Sequence, residues 1–97
     1  MSKITESAKG EDCTVCIPGV CNHNPETTVL AHINGIRFGH GIASKVKWDG
    51  LGAYCCSACH DVIDGRVKSF FDKQELKIIH YEAVFETQLK LIEKGLL

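Results

Sequence analysis

The stretch Cys55-Cys56-Ser57-Ala58-Cys59-His60-Asp61 decides how this chain is read. Cys56 and Cys59 have the two-residue gap at which a tight knuckle aims both sulfurs at one tetrahedral zinc ion. One such pair is half a site. The N-terminal third supplies the other half, in Cys13-Thr14-Val15-Cys16-Ile17-Pro18-Gly19-Val20-Cys21. Cys13 with Cys16 repeats the two-residue gap, so spacing alone favours that pair, although the Ile17-Pro18-Gly19-Val20 turn folds Cys21 back toward Cys13 equally well. Cys55 points away if Cys56 points in and reads as a small buried hydrophobe. Four thiolates leave no open coordination position, so this zinc is structural rather than catalytic. His60 and Asp61 are surplus to it, and the functional question starts with them.

The rest of the composition bounds the answer. Ninety-seven residues make one domain, 44% hydrophobic but only 7% aromatic, with a core modest enough to need a staple such as a metal. We expect a flexible arm over residues 1–10 and a single zinc-binding domain over 11–97. The net charge of −1 and a pI near 6.5 give no bulk field that would draw nucleic acid. The middle of the chain is nevertheless mildly basic: Arg37, Lys45, Lys47, Arg66 and Lys68 outnumber Asp49, Asp61 and Asp64. The start carries no apolar signal segment and no run approaches membrane-spanning length, so the expectation is a cytoplasmic protein without a membrane partner. In that compartment six cysteines read as metal ligands or free thiols rather than disulfides.

Taken in order, Asn22-His23-Asn24-Pro25 is loop and Thr27 to Ile33 is the strand candidate, β-branched and followed by the hairpin-turn pair Asn34-Gly35. Residues 35–50 carry four glycines and read as a long loop with a short strand near Lys45–Trp48. A helix starts at Ser57, taken as its N-cap, and carries His60, Asp61 and Asp64. Asp72-Lys73-Gln74-Glu75 is a capping box opening a long amphipathic helix. Its apolar residues Ile78, Tyr81, Phe85, Leu89 and Ile92 recur at helical spacing, and Gly95 ends it.

His32 closes the strand and His60 opens the helix beside the zinc knuckle. Both imidazoles face one cleft if the two zinc halves pack strand on helix. One can then activate a water while the other, with a carboxylate, holds a divalent metal on a phosphate. His23, His40 and His80 have weaker contexts, His80 reading as a packing residue of the long helix. The bland alternative is that each histidine only hydrogen-bonds the backbone around the knuckle.

Cys-x-x-Cys-His-x-x-x-Asp, an upstream cysteine cluster and a strand ending Ala31-His32-Ile33 resemble an HNH endonuclease of the ββα-metal fold. The segments Ile17 to Asn22, Asn24 to His32 and Cys56 to Asp64 resemble more closely the YbcO-like family of small lambdoid-prophage nucleases, related to the phage recombination-enhancement nuclease. The resemblance implies a small α+β, zinc-stapled, HNH-like domain with a long C-terminal helix. It implies His32 as general base and His60 as a ligand of a catalytic Mg²⁺ or Mn²⁺. It also implies Cys13, Cys21, Cys56 and Cys59 as the structural Zn²⁺ set, with Cys16 as the alternative ligand. Two departures stand out. Ala31 occupies a place where many HNH proteins carry an acidic ligand, and no asparagine lies just before the second knuckle. Asp49, Asp61 or Asp64 has to substitute, and we take Asp64 with His60.

The function expected is a metal-dependent DNA endonuclease or nicking enzyme, a hydrolase of prophage origin, with Arg37, Lys45, Lys47, Arg66 and Lys68 on the DNA. The alternative is a zinc-stabilised module that grips nucleic acid or protein without chemistry. The two differ in their need for His32 and His60 together. The oligomeric state is open, a monomer included.

Overall fold

The computed structural model describes residues 3–33 and 49–97. The expected Asn34-Gly35 turn, the short strand near Lys45–Trp48, His40 and the basic residues Arg37, Lys45 and Lys47 lie outside the described residues. The described chain runs α1 (Lys3–Ser7), a 3₁₀ turn (Pro25–Thr27), β1 (Val29–His32), a 3₁₀ turn (Asp49–Leu51), β2 (Gly52–Cys55), α2 (Ser57–Ile63) and α3 (Lys73–Glu93). It is a small α+β domain with a two-stranded sheet and a long C-terminal helix.

β1 falls inside the stretch expected to be strand. Its partner is β2, antiparallel, with Leu30 opposite Tyr54, Ala31 opposite Ala53 and His32 opposite Gly52. Gly-Ala-Tyr-Cys has neither β-branched residues nor apolar–polar alternation, because all four residues are buried. The sequence therefore signalled only a lead-in to the knuckle. Gly52 is required there: a Cβ would stand 2.6 Å from Leu30 Cγ. Successive pairs feed two clusters, as a period of two dictates. Ala31, Ala53 and Cys55 join the cysteines, Ile17, Val62, Ala83 and Val84. Leu30 and Tyr54 join Ala8 and Leu91.

The N-terminal segment is docked. Ala8 is buried, Ile4 packs on the Leu30–Tyr54 cluster, and the Ser7 hydroxyl lies 2.8 Å from the Tyr54 hydroxyl. α2 begins one residue earlier than its Ser57 signal suggests. Its N-cap is Cys56, whose sulfur accepts from the Cys59 amide, so the knuckle and the helix cap are one structure.

α3 starts and stops where its sequence says. The Asp72 carboxylate accepts from the Glu75 amide at 2.8 Å, and Glu75 accepts from the Asp72 amide at 3.0 Å. Gly95, at φ 74°, closes a Schellman motif in which Leu96 donates to Leu91 and Gly95 to Ile92. The expected core stripe is a correction. Ile78, Phe85, Leu89 and Ile92 are 56–65% exposed. The buried face is instead His80, Ala83, Val84, Thr87 and Leu91. Small side chains let the helix backbone approach β2, and the Thr87 hydroxyl bonds both the Tyr54 amide (3.0 Å) and the Thr14 hydroxyl (2.9 Å). Hydropathy periodicity cannot see a face built from Ala, Thr and His.

Candidate functional site

The cysteine cluster is assembled by three local devices. The Ile17–Val20 turn, with Gly19 at φ 76°, brings Cys21 back: its amide donates to the Ile17 carbonyl at 3.0 Å. Cys16, at φ 40°, turns its own amide onto the Cys13 sulfur at 3.2 Å. Ile17 and Cys59 donate amides to the sulfurs of Cys59 and Cys56, both at 3.4 Å. Backbone N–H groups aimed at sulfur favour thiolates over thiols.

The sulfurs of Cys13, Cys21, Cys56 and Cys59 all lie within 4.8 Å of one another. Cys21 and Cys56 are 3.8 Å apart, about the edge of a tetrahedron built on zinc–sulfur bonds of about 2.3 Å. Cys16 is exposed and outside this quartet. It converges instead with Cys21 and the exposed His23, a second group that shares a sulfur with the first and that spacing had not suggested. Cys55 is fully buried and outside the quartet, and its neighbours Cys13 and Cys59, with burial behind them, push its thiol up.

The electrostatics of the quartet are those of crowded thiols. Cys13 is held far below the usual thiol range, first by the Cys55 hydrogen bond and then by Cys59. Cys59 is pushed up, first by its bond to Cys13, and burial pushes Cys21 up to about 12. One negative charge opposes the next, and a central dication removes that opposition. The amide donors, the sulfur spacing and the burial together fit a metal ion held by these four cysteines.

The second constellation sits on the same framework. β1 delivers His32 at its end, and α2, anchored by Cys56 and Cys59, delivers His60 and Asp64 one turn apart, with Nε2 and Oδ2 3.4 Å from each other. Arg66 bridges the carboxylates, reaching Asp61 at 2.9 Å and Asp64 at 3.1 Å, and its Nη2 lies 3.5 Å from His60 Nδ1. Arg66 is thus tied into the site rather than held out alone, and Asp61 raises its pKa further.

His80, given only a packing role from sequence, is the residue that joins the parts. Its Nε2 donates to the Ala31 carbonyl at 2.8 Å. Burial, its largest influence, lowers its pKa. The Ala31 bond and Asp64 work against that, while His60 and His32 reinforce it. Outside the cysteines, no three metal-ligating side chains among the described residues converge within 4.8 Å. His60 and Asp64 offer a two-donor site. Their 3.4 Å separation is near the about 3 Å between adjacent ligands of a six-coordinate divalent ion.

The site thus defines a small α+β domain whose cysteine quartet fits a metal ion and whose knuckle helix carries a His–Asp pair. The chain belongs to the family described as "Putative nuclease YbcO", whose profile matches residues 2–96. It is 40% identical to "Putative nuclease YbcO" of Escherichia coli (strain K12) over 99 residues, covering 100% of this chain and 98% of that one. "Putative nuclease ybcO" of Enterobacteria phage 82 matches with the same identity and coverage. Among solved structures, "Structure of a putative bacteriophage protein from Escherichia coli str. K-12 substr. MG1655" superposes with a TM-score of 0.76. That chain is 40% identical, and the match covers 94% of this chain and 98% of that one. Among the described residues no helix is long and apolar enough to cross a membrane.

Proposed function

We propose that this protein is a metal-dependent DNA endonuclease of the HNH, ββα-metal type. In this reading Cys13, Cys21, Cys56 and Cys59 hold a structural Zn²⁺, and His32, His60 and Asp64 form the hydrolytic site. The observation that carries it is the His60–Asp64 pair, 3.4 Å apart on the helix capped by Cys56, together with His32 at the end of the strand that His80 ties down through Ala31. The family name supports the chemistry.

His32 is the general base: a neutral imidazole takes a proton from the attacking water near neutral pH. His60 and Asp64 are the ligands of Mg²⁺ or Mn²⁺, which when bound offsets the charge that develops on the scissile phosphate. Two protein donors would suit Mg²⁺, an ion commonly held by one or two carboxylates or their equivalents rather than by a full protein cage. Arg66, held by Asp61 and Asp64, keeps a fixed positive charge beside the phosphate. The zinc cluster holds α2, and with it His60, in place.

The test is cleavage of supercoiled plasmid with Mg²⁺ or Mn²⁺, comparing the parent with His32→Ala. Loss of a general base should cut hydrolysis on the order of a hundredfold or more, with zinc content unchanged. A parent protein that cleaves no single-stranded, duplex or branched DNA with Mg²⁺, Mn²⁺ or Ni²⁺ would leave the zinc-stabilised binding module as the function.

A further inference from the structure

We infer that the turn between α2 and α3, with the first turns of α3, is a binding cleft for single-stranded DNA in which Phe70 is a stacking platform. The inference rests on the nuclease reading for its biological sense, but not for its physical evidence.

Phe70 is 98% exposed, the most exposed large apolar side chain among the described residues. An aromatic ring left wholly in water contributes nothing to the core. It is not disordered tail either, because its neighbour is anchored: the Phe71 amide donates to the Ser69 hydroxyl at 3.1 Å, and Phe71 packs on the cysteine cluster. The two rings sit edge to face, centroids 6.0 Å apart, so Phe71 braces the ring that Phe70 presents.

Beside it lies a groove of about 700 Å³, within the range of pockets that take organic ligands rather than ions. Its floor is apolar, from Val62, Phe71 and Leu76. Lys68, Lys73 and Lys77 line it, and none of the three is in an ion pair with a described residue. Lys73 and Lys77 are one turn apart and so share a side of the helix. The nearby carboxylates already face other partners: Asp72 and Glu75 the helix cap, Asp61 Arg66, and Asp64 Arg66 and His60. What remains is positive charge over an apolar floor, with exposed Phe70 set between the lining residues Ser69 and Phe71.

That chemistry fits a polyanion whose bases are unstacked. In a duplex the base faces are already covered by their neighbours, so a protruding ring finds nothing to stack on. A single strand offers both faces to the ring and phosphates to the lysines. The groove also leads to the chemistry, since Asp64 and His80 line it too. A strand lying in it passes the His60–Asp64 pair.

The experiment is fluorescence anisotropy of a labelled oligo(dT) and of a matched duplex, with no added divalent ion, over a range of salt. The wild type should bind the single strand at least about tenfold more tightly, the effect of one or more stacked bases. Phe70→Ala should weaken single-strand binding about five- to a hundredfold, and Phe70→Trp should retain it. Lys73→Ala with Lys77→Ala should flatten the slope of log affinity against log salt by about 1.4, two single-strand phosphate contacts. His32→Ala should bind like the wild type. Equal binding by Phe70→Ala, a preference for duplex, or no binding of oligo(dT) would overturn the inference. Because no cleavage is scored, an inactive protein that binds this way sinks the nuclease reading and leaves the cleft standing. An active one indifferent to Phe70 does the reverse.

Discussion

His80 Nε2 donates to the carbonyl of Ala31 at 2.8 Å, and so fastens the long C-terminal helix to the peptide just before His32. The pair is separated by 49 residues, and the imidazole is buried. A side chain presented at the end of a two-stranded sheet would otherwise sit on a fraying edge. Replacing His80 with Ala leaves a cavity and an orphaned carbonyl. We expect it to lower unfolding free energy by about 1–3 kcal/mol in urea titrations, with zinc content unchanged. A variant as stable as the parent would show that the strand end needs no such tie.

The same residue gives the protein an acid-sensitive term. Burial holds the folded pKa of His80 below its ordinary value, against the pull of the Ala31 bond and Asp64 and with that of His60 and His32. The unfolded chain then binds the proton first as pH falls. The stability at stake is fully present above about pH 6.5 and is lost as pH falls from there toward the folded pKa. Melting temperatures of the parent and of His80→Gln between pH 7.5 and pH 5, a window of roughly that width, should converge on the acid side. Loss of metal through thiol protonation is common to both proteins and cancels in the comparison. Parallel curves would contradict the assignment.

Each chain should carry about one equivalent of zinc, the stoichiometry of one Cys₄ site, by elemental analysis of freshly purified protein. Cys21→Ser should lose the metal and the fold together, because the metal supplies folding free energy. Cys16→Ser should keep both, since its exposed sulfur lies outside the quartet. The reverse pattern would hand the site to the Cys13–Cys16 knuckle.

His60→Ala should differ in kind from His32→Ala. In the proposed site His60 is one of two metal ligands; its removal then weakens metal affinity, and raised Mn²⁺ should restore part of the plasmid cleavage. A lost base is not replaced by metal. Rescue of His32→Ala by Mn²⁺, or none for His60→Ala, would reverse the two roles.

The two faces of α3 predict opposite mutational costs. Leu91→Ala, at a site with no exposure, should cost about 2–5 kcal/mol in denaturant titrations. Phe85→Ser, on the exposed stripe, should stay within about 1 kcal/mol in a monomer. A large loss at Phe85 would mean that the stripe is covered in solution.

By itself, the sequence determined everything governed by short-range rules. The capping box at Asp72 and Glu75, the C-terminal turn at Gly95, the Cys56–Cys59 knuckle and the family resemblance all depend on residues a few positions apart. Spacing favours Cys16, yet the sulfur of Cys21 completes the quartet, because the choice depends on where the Ile17–Val20 turn points once Thr14 is bonded to Tyr54 and Thr87. Nor could periodicity choose the buried face of α3. Ile78, Phe85 and Leu89 outscore Ala83 and Thr87 in hydropathy, yet only the small residues let helix and β2 come close. β2 itself, buried at every position, has no alternation to read. His80 became part of the site only through a contact with Ala31. Such long-range pairings are decided by shape and by the satisfaction of buried polar groups, and only the tertiary structure contains them.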